Sequence, residues 1–366
     1  MRLAKLAHMD VDELAWRGRA GARIAWDRFQ ASRTAPAWDR ASLAGALAPG
    51  PALDDARAAL AQGRWLDAHR ALALHISSTP QRFALATSNR AAVTTAIRDR
   101  FPEARAQSIA RADDIVAGKY DLLGYRALSF QLGAAAVDWQ HDPVHARRAP
   151  SGFWSEVEYL NPDCGDHKII WELNRHQHWL SLGRAYWLTG EVRYRERCLS
   201  ELASWLDANP PLRGINWASM LELGFRSISW LWALAFFADT NTKDDAPWIV
   251  DLLLALDRQL TQVERNLSFY FSPNTHLLGE ALALYVAGRS LPCLHQSPAR
   301  ETIGRQVLLD EARRQISPDG GHCERSTHYH RYTLDFYLLA LIVARGSGDH
   351  RSASTRGRAT ASAGAD

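Results

Sequence analysis

Residues 165–190 read GDHKIIWELNRHQHWLSLGRAYWLTG and give the clearest helical pattern in the chain. Ile169, Ile170, Leu173 and Leu180 supply apolar contacts beside a polar face, as in an amphipathic helix. Gly190 follows the pattern, and glycine is typical of the residue that ends a helix. We therefore predict a helix over 167–188.

The same kind of pattern continues to residue 345. Asn209, Pro210 and Pro211 end the next helix. Long helices joined by short loops favour stacked antiparallel pairs. The chain has neither alternating βαβ units nor a tight repeat, which disfavours Rossmann, TIM-barrel, TPR and HEAT folds. The predicted fold class is all-α, an incomplete (α/α) toroid of antiparallel helix pairs. The further predicted helices span 192–207, 217–237, 245–266, 275–288, 300–315 and 331–345.

The earlier part of the chain is less regular. An amphipathic helix is predicted over 9–30, and two more over 53–75 and 90–107. Val116–Phe130 has strand-like pieces with turn glycines, which predicts a short hairpin or a wrapping loop. Ala136–Trp154 is predicted to be a long polar loop. In the first helix the inward positions are predicted to be Leu14, Ala15, Ala22 and Trp26.

Three regions follow from this pattern: an N-terminal helical region over 1–108, the toroid core over 109–348, and a tail over 349–366. Residues 351–366 contain no apolar side chain larger than alanine, so the tail is predicted to be disordered. The composition changes abruptly after Asp349. A truncated or frame-shifted gene is preferred over a natural tail as the explanation.

Composition excludes several classes of protein. The 366 residues are 47% hydrophobic and 23% charged, with a net charge of +3, which is too weakly basic to indicate nucleic-acid binding. An anionic ligand is compatible with this charge. The 14 tryptophans suit a carbohydrate cleft, because an indole matches the flat face of a sugar ring. The alternative is that they fill gaps between large helices.

The chain has no motif that marks a metal centre, a redox site or a membrane segment. Its four cysteines form no C-x-x-C pair, and neither a cofactor nor a metal is predicted. Asp10, Asp12 and Glu13 interrupt the N-terminal segment, so it does not resemble a secretory signal peptide. No membrane span is predicted, and the expected location is the cytoplasm.

Polar, proton-transferring residues are concentrated in three segments. In Asp166–Trp179, a helix would place Glu172, Arg175, His176 and Trp179 on one face, either lining a cleft or solvated. Further along, Glu222 and Arg226 have the i, i+4 spacing of an ion pair and lie in an apolar run, so they are predicted to be partly buried and held either by each other or by a ligand.

The second segment is Phe271–Glu280, FSPNTHLLGE. Asn274 and His276 fall in the first turn of a helix, where anionic groups are favoured. The amide of Asn274 can donate to a carboxylate. The alternative is that Asn274 or Ser272 only caps the helix.

The third segment is Ser317–Tyr332, SPDGGHCERSTHYHRY, in which Tyr329 lies between two histidines. Tyrosine is a poor base unless a cation or a hydrogen bond lowers its pKa, and neighbouring histidines and arginines are candidates for that role. A zinc site is disfavoured because the spacing matches no standard pattern. Its ligands would be His322, Cys323, His328 and His330.

Taken together, these segments resemble the heparinase II/III family of polysaccharide lyases. The matching strings are VDWQHDP, GDHKIIWELNRHQHWLSLGRAYWLTG, NPPLRGINWASMLELGFRSISWLWAL, SPNTHLLGEALALY and SPDGGHCERSTHYHRYTLDFYLLAL. The resemblance covers roughly 110–348 clearly and the N-terminal part loosely. It implies an incomplete toroid followed by a β-sandwich, which these residues do not include, and a periplasmic location.

The resemblance also implies a function and its residues. The expected activity is β-elimination on a uronic-acid polysaccharide such as heparan sulfate, alginate or a related exopolysaccharide, and the expected partner is that acidic polysaccharide. Asn274, helped by His276, would hold the uronate carboxylate, and Tyr329 would transfer protons. The implied substrate-binding residues are Arg175, His176, Trp217, Glu222, Arg226, Glu324 and His330.

Two other functions remain open from the sequence. One is a toroid-shaped glycoside hydrolase that uses two carboxylates, such as Glu222 and Glu324. The other is an inactive carbohydrate-binding remnant.

Overall fold

The structure is a computed structural model, and it describes residues 9–79, 82–84, 87–132, 136–238 and 245–349. The predicted disordered tail over 351–366 lies outside the described residues. The described chain is mainly helical, with short two-stranded sheets between the first and second halves. The α-helices are α1 Val11–Arg33, α2 Leu43–Ala46, α3 Asp54–Ala61, α4 Trp65–Ser78, α5 Arg90–Arg100, α6 Pro102–Val116, α7 His167–Asn174, α8 His178–Thr189, α9 Val192–Ala208, α10 Met220–Phe237, α11 Trp248–Arg265, α12 Thr275–Ser290, α13 Ser297–Gln315 and α14 Thr327–Gly346.

The helices form the predicted incomplete toroid of paired helices. Helix α10 is its centre and packs against α8, α11 and α12. Met220–Phe237 is long and apolar enough to cross a membrane by length and composition, but 94% of it is buried inside the fold. Its apolar character therefore reflects a core position on every side.

The pairing of α12 with α13 depends on two glycines. A Cβ on Gly288 would overlap the backbone nitrogen of Glu301, and a Cβ on Gly304 would overlap that of Tyr285. Only glycine lets the two helix backbones approach this closely. The pair is consequently the most closely packed part of the toroid.

Several predicted helices are divided in the structure. The predicted helix over 53–75 breaks at Gly63, which has a φ of +69°. The one over 90–107 breaks before Pro102, which begins α6. The one over 167–188 breaks at His176, a non-glycine residue with a φ of +55°.

The segment between α6 and α7 contains the short sheets. Tyr120–Leu122 pairs antiparallel with Tyr125–Leu128, which confirms the predicted hairpin. Within the predicted polar loop, His141–Asp142 pairs with Arg147–Arg148. Gln131–Leu132 pairs with Ala136–Val137. In the described part of this segment, the strands therefore form only short two-stranded pairings.

Five tryptophans are fully buried in the core, and four of them, all except Trp217, have their rings next to the imidazole of His176. The His176 ring stacks on Trp179 at 4.2 Å between centroids, and the Trp230 indole donates to His176 Nδ1 at 2.7 Å. These tryptophans fill space between helices, as the simpler interpretation of the composition predicted. They are Trp139, Trp179, Trp205, Trp217 and Trp230.

Candidate functional site

A cleft of about 1180 Å³ lies between α1 and the toroid. Its walls come from α1, from the length of α7 and the residue after it, from the N-terminal ends of α10, α12 and α14, and from the loop before α12. Helix N-terminal ends carry unsatisfied N–H groups and partial positive charge, so this arrangement favours an anionic ligand. The lining side chains include Arg17, Trp171, Glu172, Arg175, Glu222, His276, Glu280, His328, Tyr329 and Tyr332.

An arginine held by two carboxylates forms the floor of the cleft. Arg175 donates to both oxygens of Glu222, at 2.7 Å and 2.9 Å, and its third nitrogen donates to Glu172 at 2.7 Å. Its guanidinium also lies 4.8 Å from the ring centroid of Phe225. Burial acts to lower the pKa of Arg175, but the paired Glu222 carboxylate outweighs it and raises the pKa. Arg175 is therefore a fixed cation.

Two ionisable side chains beside this pair, Glu172 and Tyr332, have raised pKa values. Burial raises the pKa of Glu172, although Arg175 opposes the shift. Burial also raises the pKa of the Tyr332 phenol to about 12. Arg175 donates to the Tyr332 hydroxyl at 3.4 Å. On the floor of the cleft, the charged guanidinium of Arg175 thus contacts Glu222, Glu172 and the Tyr332 hydroxyl.

Asn274 caps α12 and contacts the loop before α14. Its side-chain oxygen accepts from the His276 backbone N–H at 3.3 Å, and its amide nitrogen donates to Glu324 at 3.1 Å. Asn274 therefore caps the helix, and one N–H of its amide is engaged by a carboxylate. Its neighbours Ser272 and Thr275 line the cleft, whereas the Asn274 side chain is turned to Glu324.

His276 and Tyr329 both line the cleft. Burial lowers the pKa of His276, and the nearby Glu222 and Glu324 only partly oppose this, so the imidazole is neutral at pH 7. Tyr329 lies in the first turn of α14 and is 43% exposed. No hydrogen bond to the described residues engages its hydroxyl. A neutral donor and an accessible phenol therefore share one cleft.

A third carboxyl group in the cleft wall is almost completely buried. Glu280 on α12 accepts from the backbone N–H of Ser268 at 2.8 Å and contacts the Ser268 hydroxyl at 2.6 Å. Burial raises the pKa of Glu280 to about 8, although both contacts with Ser268 oppose the shift. The carboxyl is protonated at pH 7, and it fixes the loop that precedes α12.

Three predicted substrate-binding residues do not reach the cleft. His176, Trp217 and Arg226 are fully buried. The prediction that Glu172, Arg175, His176 and Trp179 share a helix face is wrong, because the chain turns at His176. Glu172 and Arg175 line the cleft, while the other two enter the core.

The predicted pairing of Glu222 with Arg226 is also wrong. Glu222 binds Arg175 instead, and Arg226 donates to Gln259 at 2.6 Å and to the Asn216 carbonyl at 2.7 Å. Burial lowers the pKa of Arg226 to about 9. Its role in this structure is to connect core elements.

Glu324 and His330 lie outside the cleft lining. Glu324 holds Asn274, and His330 lines a separate groove together with His322 and Cys323. His328 lines the main cleft, so the four residues considered for zinc are divided between two surfaces. Within the described residues, no group of three or more histidine, cysteine or acidic side chains is placed to hold a metal.

Sequence reasoning missed part of the cleft. Trp171, Tyr159 and His167 form an aromatic wall, with Tyr159 and His167 at 4.9 Å and 4.7 Å from Trp171 between ring centroids. The sequence feature that could have indicated these residues is the aromatic content of the segment around 159–171. The inward positions predicted for α1 are also mostly wrong, since Trp26 is 57% exposed. Ala15 and Ala22 are exposed as well, whereas Leu14 lines the cleft.

A family model described as the Heparinase II/III N-terminus matches residues 49–353. The chain belongs to the heparinase II/III family. A heparin-sulfate lyase of Bacteroides thetaiotaomicron is 29% identical over 185 residues, covering 49% of this chain and 26% of that protein. A heparin-sulfate lyase of Pedobacter heparinus is 26% identical over 187 residues, covering 49% of this chain and 27% of that protein. The chain therefore matches about a quarter of these relatives' length.

Solved structures show the same fold in the heparinases. The crystal structure of heparinase III has a TM-score of 0.61 at 19% identity, covering 84% of this chain and 44% of its own. Heparan sulfate lyase from Pedobacter heparinus has a TM-score of 0.62 at 22% identity, covering 86% and 45%. The chain spans less than half of either structure, and the likeness concerns the fold.

Proposed function

We propose that this chain is the helical part of a polysaccharide lyase that cleaves a uronate-containing acidic polysaccharide by β-elimination. The observation that carries the proposal is the meeting of the Tyr329 phenol and the neutral His276 imidazole in a cleft with Arg175 on its floor. The family membership and the names of the relatives support the same class of reaction. Heparan sulfate is the first substrate to test.

The proposed chemistry uses the cleft residues in separate roles. The Tyr329 oxygen, as phenolate, takes the C5 proton of the uronate. The electron pair of that C–H bond forms the C4–C5 double bond, and the C4–oxygen bond breaks. The departing oxygen takes a proton, which the Tyr329 phenol returns to it. The product is an unsaturated uronate and a shortened chain.

Negative charge develops on the uronate carboxylate during this step. Neutral donors placed there stabilise the charge in the transition state more than in the substrate. By the family resemblance Asn274 is assigned as one donor, and this role requires its amide, which donates to Glu324 outside the cleft lining in the structure, to turn a free N–H toward the substrate. His276 is assigned the second donor, because burial keeps its imidazole neutral by lowering its pKa.

The glycoside-hydrolase alternative is not favoured. It needs two carboxyl groups that act on substrate, one as an acid and the other as a base or a nucleophile. Both oxygens of Glu222 accept from Arg175, and Glu324 accepts from Asn274. Neither carboxylate is placed for that chemistry.

The test is ultraviolet absorption of the unsaturated product on heparan sulfate and alginate. The Tyr329→Phe chain should lose elimination by about 10²–10⁴-fold, because it lacks the proton-transfer group but keeps the ring. Tyr125→Phe is the matched control, since Tyr125 is 44% exposed against 43% for Tyr329 and lies outside the cleft lining. An active parent whose rate survives Tyr329→Phe rejects the assignment. If new reducing ends appear but no unsaturated uronate is detected by its ultraviolet absorption, the chain hydrolyses the polysaccharide instead.

A further inference from the structure

Helix α1 forms one wall of the cleft, although it lies outside the matched family region, which begins at residue 49. The residues of α1 on this wall include five spaced three or four apart along the helix, so they lie on one face. These are Leu14, Arg17, Gly18, Gly21 and Ile24. A helix outside the matched region thus contributes a surface to the cleft of the toroid.

Polar contacts hold α1 in place at both sides of the cleft. The Arg17 guanidinium donates to the Tyr270 carbonyl at 2.9 Å, and Arg28 pairs with Glu156 at 2.8 Å. Ala20 is the buried residue of the helix. Because α1 contributes so little to the core, its packing alone does not explain its position over the cleft.

Two glycines lie on the side of α1 that faces the cleft, and at these positions the helix carries no side chain. Gly18 and Gly21 are exposed and line the cleft, and a Cβ on either would meet no atom within 4 Å. Glycine is unfavourable inside a helix, and neither position requires it for packing. A glycine there does allow a ligand to lie against the helix backbone. Any larger side chain would project into the open cleft.

We propose that α1 is a specificity wall for the polysaccharide. The sugar chain passes between Gly18–Gly21 and the aromatic side of the cleft formed by Tyr159, His167 and Trp171. Arg17, whose guanidinium also pairs with Glu13 at 2.7 Å, lines the same side as the glycines. The width left by the two glycines determines which chains enter. This inference rests on the proposed function, because it assigns the cleft to an acidic polysaccharide.

The test compares leucine at two neighbouring positions of one helix. Gly21→Leu fills the cleft side, and Ala22→Leu adds the same side chain at an exposed position outside the lining. Both are made with Tyr329→Phe to prevent turnover, and binding of heparan sulfate and alginate oligosaccharides is measured by calorimetry. Gly21→Leu should weaken binding by about tenfold or more, as expected when a side chain overfills a fitted space. Ala22→Leu should leave binding unchanged.

Folding is checked separately, and Gly18→Leu repeats the test about one turn away. Equal unfolding midpoints and helicity in all variants make a loss of binding attributable to the cleft. If Gly18→Leu and Gly21→Leu bind like Ala22→Leu, the wall assignment is overturned, whether or not the parent eliminates. If binding depends on the glycines while the parent releases no ultraviolet product, the wall stands and the lyase proposal fails. A parent that binds neither polysaccharide overturns both.

Discussion

Replacing Glu280 by glutamine should stabilise the protein, and the gain should grow with pH. Glu280 is 1% exposed and interacts with Ser268 through both carboxyl oxygens. The Ser268 N–H and the Ser268 hydroxyl each donate to one carboxyl oxygen, and the hydroxyl can also rotate to accept a proton from a neutral carboxyl or amide group. Glutamine reproduces both contacts, because its carbonyl accepts and its NH₂ donates. The variant therefore keeps the geometry and removes the titration.

The magnitude follows from the shift in pKa. Burial raises the pKa of Glu280 from 4.5 to about 8 in the folded protein, whereas the unfolded chain keeps the ordinary value. Between these values the unfolded chain is ionised and the folded protein is not. The unfolded state binds fewer protons, so stability falls as pH rises. From pH 5 to pH 7 this single group should remove about 2.5 kcal/mol of unfolding free energy from the parent.

Urea unfolding of the parent and of Glu280→Gln at pH 5, 6 and 7 measures the effect. The difference in unfolding free energy, variant minus parent, should increase by about 2.5 kcal/mol across this range. Glu103→Gln, at an exposed position, controls for the loss of one carboxylate from the chain. A Glu280→Gln difference that stays constant with pH would show that the carboxyl is already ionised, and the reasoning would be refuted.

Three further outcomes are expected from the packing. Arg175→Ala should cost about 3–5 kcal/mol in urea unfolding, because the buried Glu222 carboxylate then loses its main partner; a cost below 1 kcal/mol contradicts the pairing. Gly18→Ala should raise the unfolding free energy by about 0.5–1 kcal/mol, since the added methyl meets nothing within 4 Å. Gly288→Ala should lower it by about 1–3 kcal/mol, because the methyl would overlap the Glu301 backbone. Equal effects of the two alanines in thermal unfolding would contradict the packing.

Local sequence signals account for much of the fold. The predicted helices over 192–207 and 275–288 correspond to Val192–Ala208 and Thr275–Ser290. The breaks at Gly63 and Pro102 also had a visible signal, in residues that interrupt helices. The break at His176 had none. A histidine in the left-handed region is held there by the tryptophans around it, and that cause belongs to the tertiary packing.

The site was harder to predict than the fold. Polar motifs pointed to His276, Tyr329 and Arg175, and the structure brings these three to one cleft. The same reasoning placed Arg226 there, because a sequence does not reveal that a buried arginine can be satisfied by Gln259 and backbone carbonyls. The contribution of α1 could not be read either, since its glycines carry no chemical signal until the helix is placed over the toroid.

The charges of the cleft explain how a site containing three glutamates can accept a polyanion. Glu222 is paired with Arg175, burial raises the pKa of Glu172 beside the same guanidinium, and burial holds Glu280 protonated by raising its pKa to about 8. These contacts and shifts weaken the repulsion that the three glutamates would exert on an anionic ligand. The N-terminal ends of α10, α12 and α14 face the same space and favour negative charge. Under the proposed function, an acidic chain would therefore enter a cleft in which the cation of Arg175 offsets the Glu222 carboxylate, and His276 and Tyr329 line the same space.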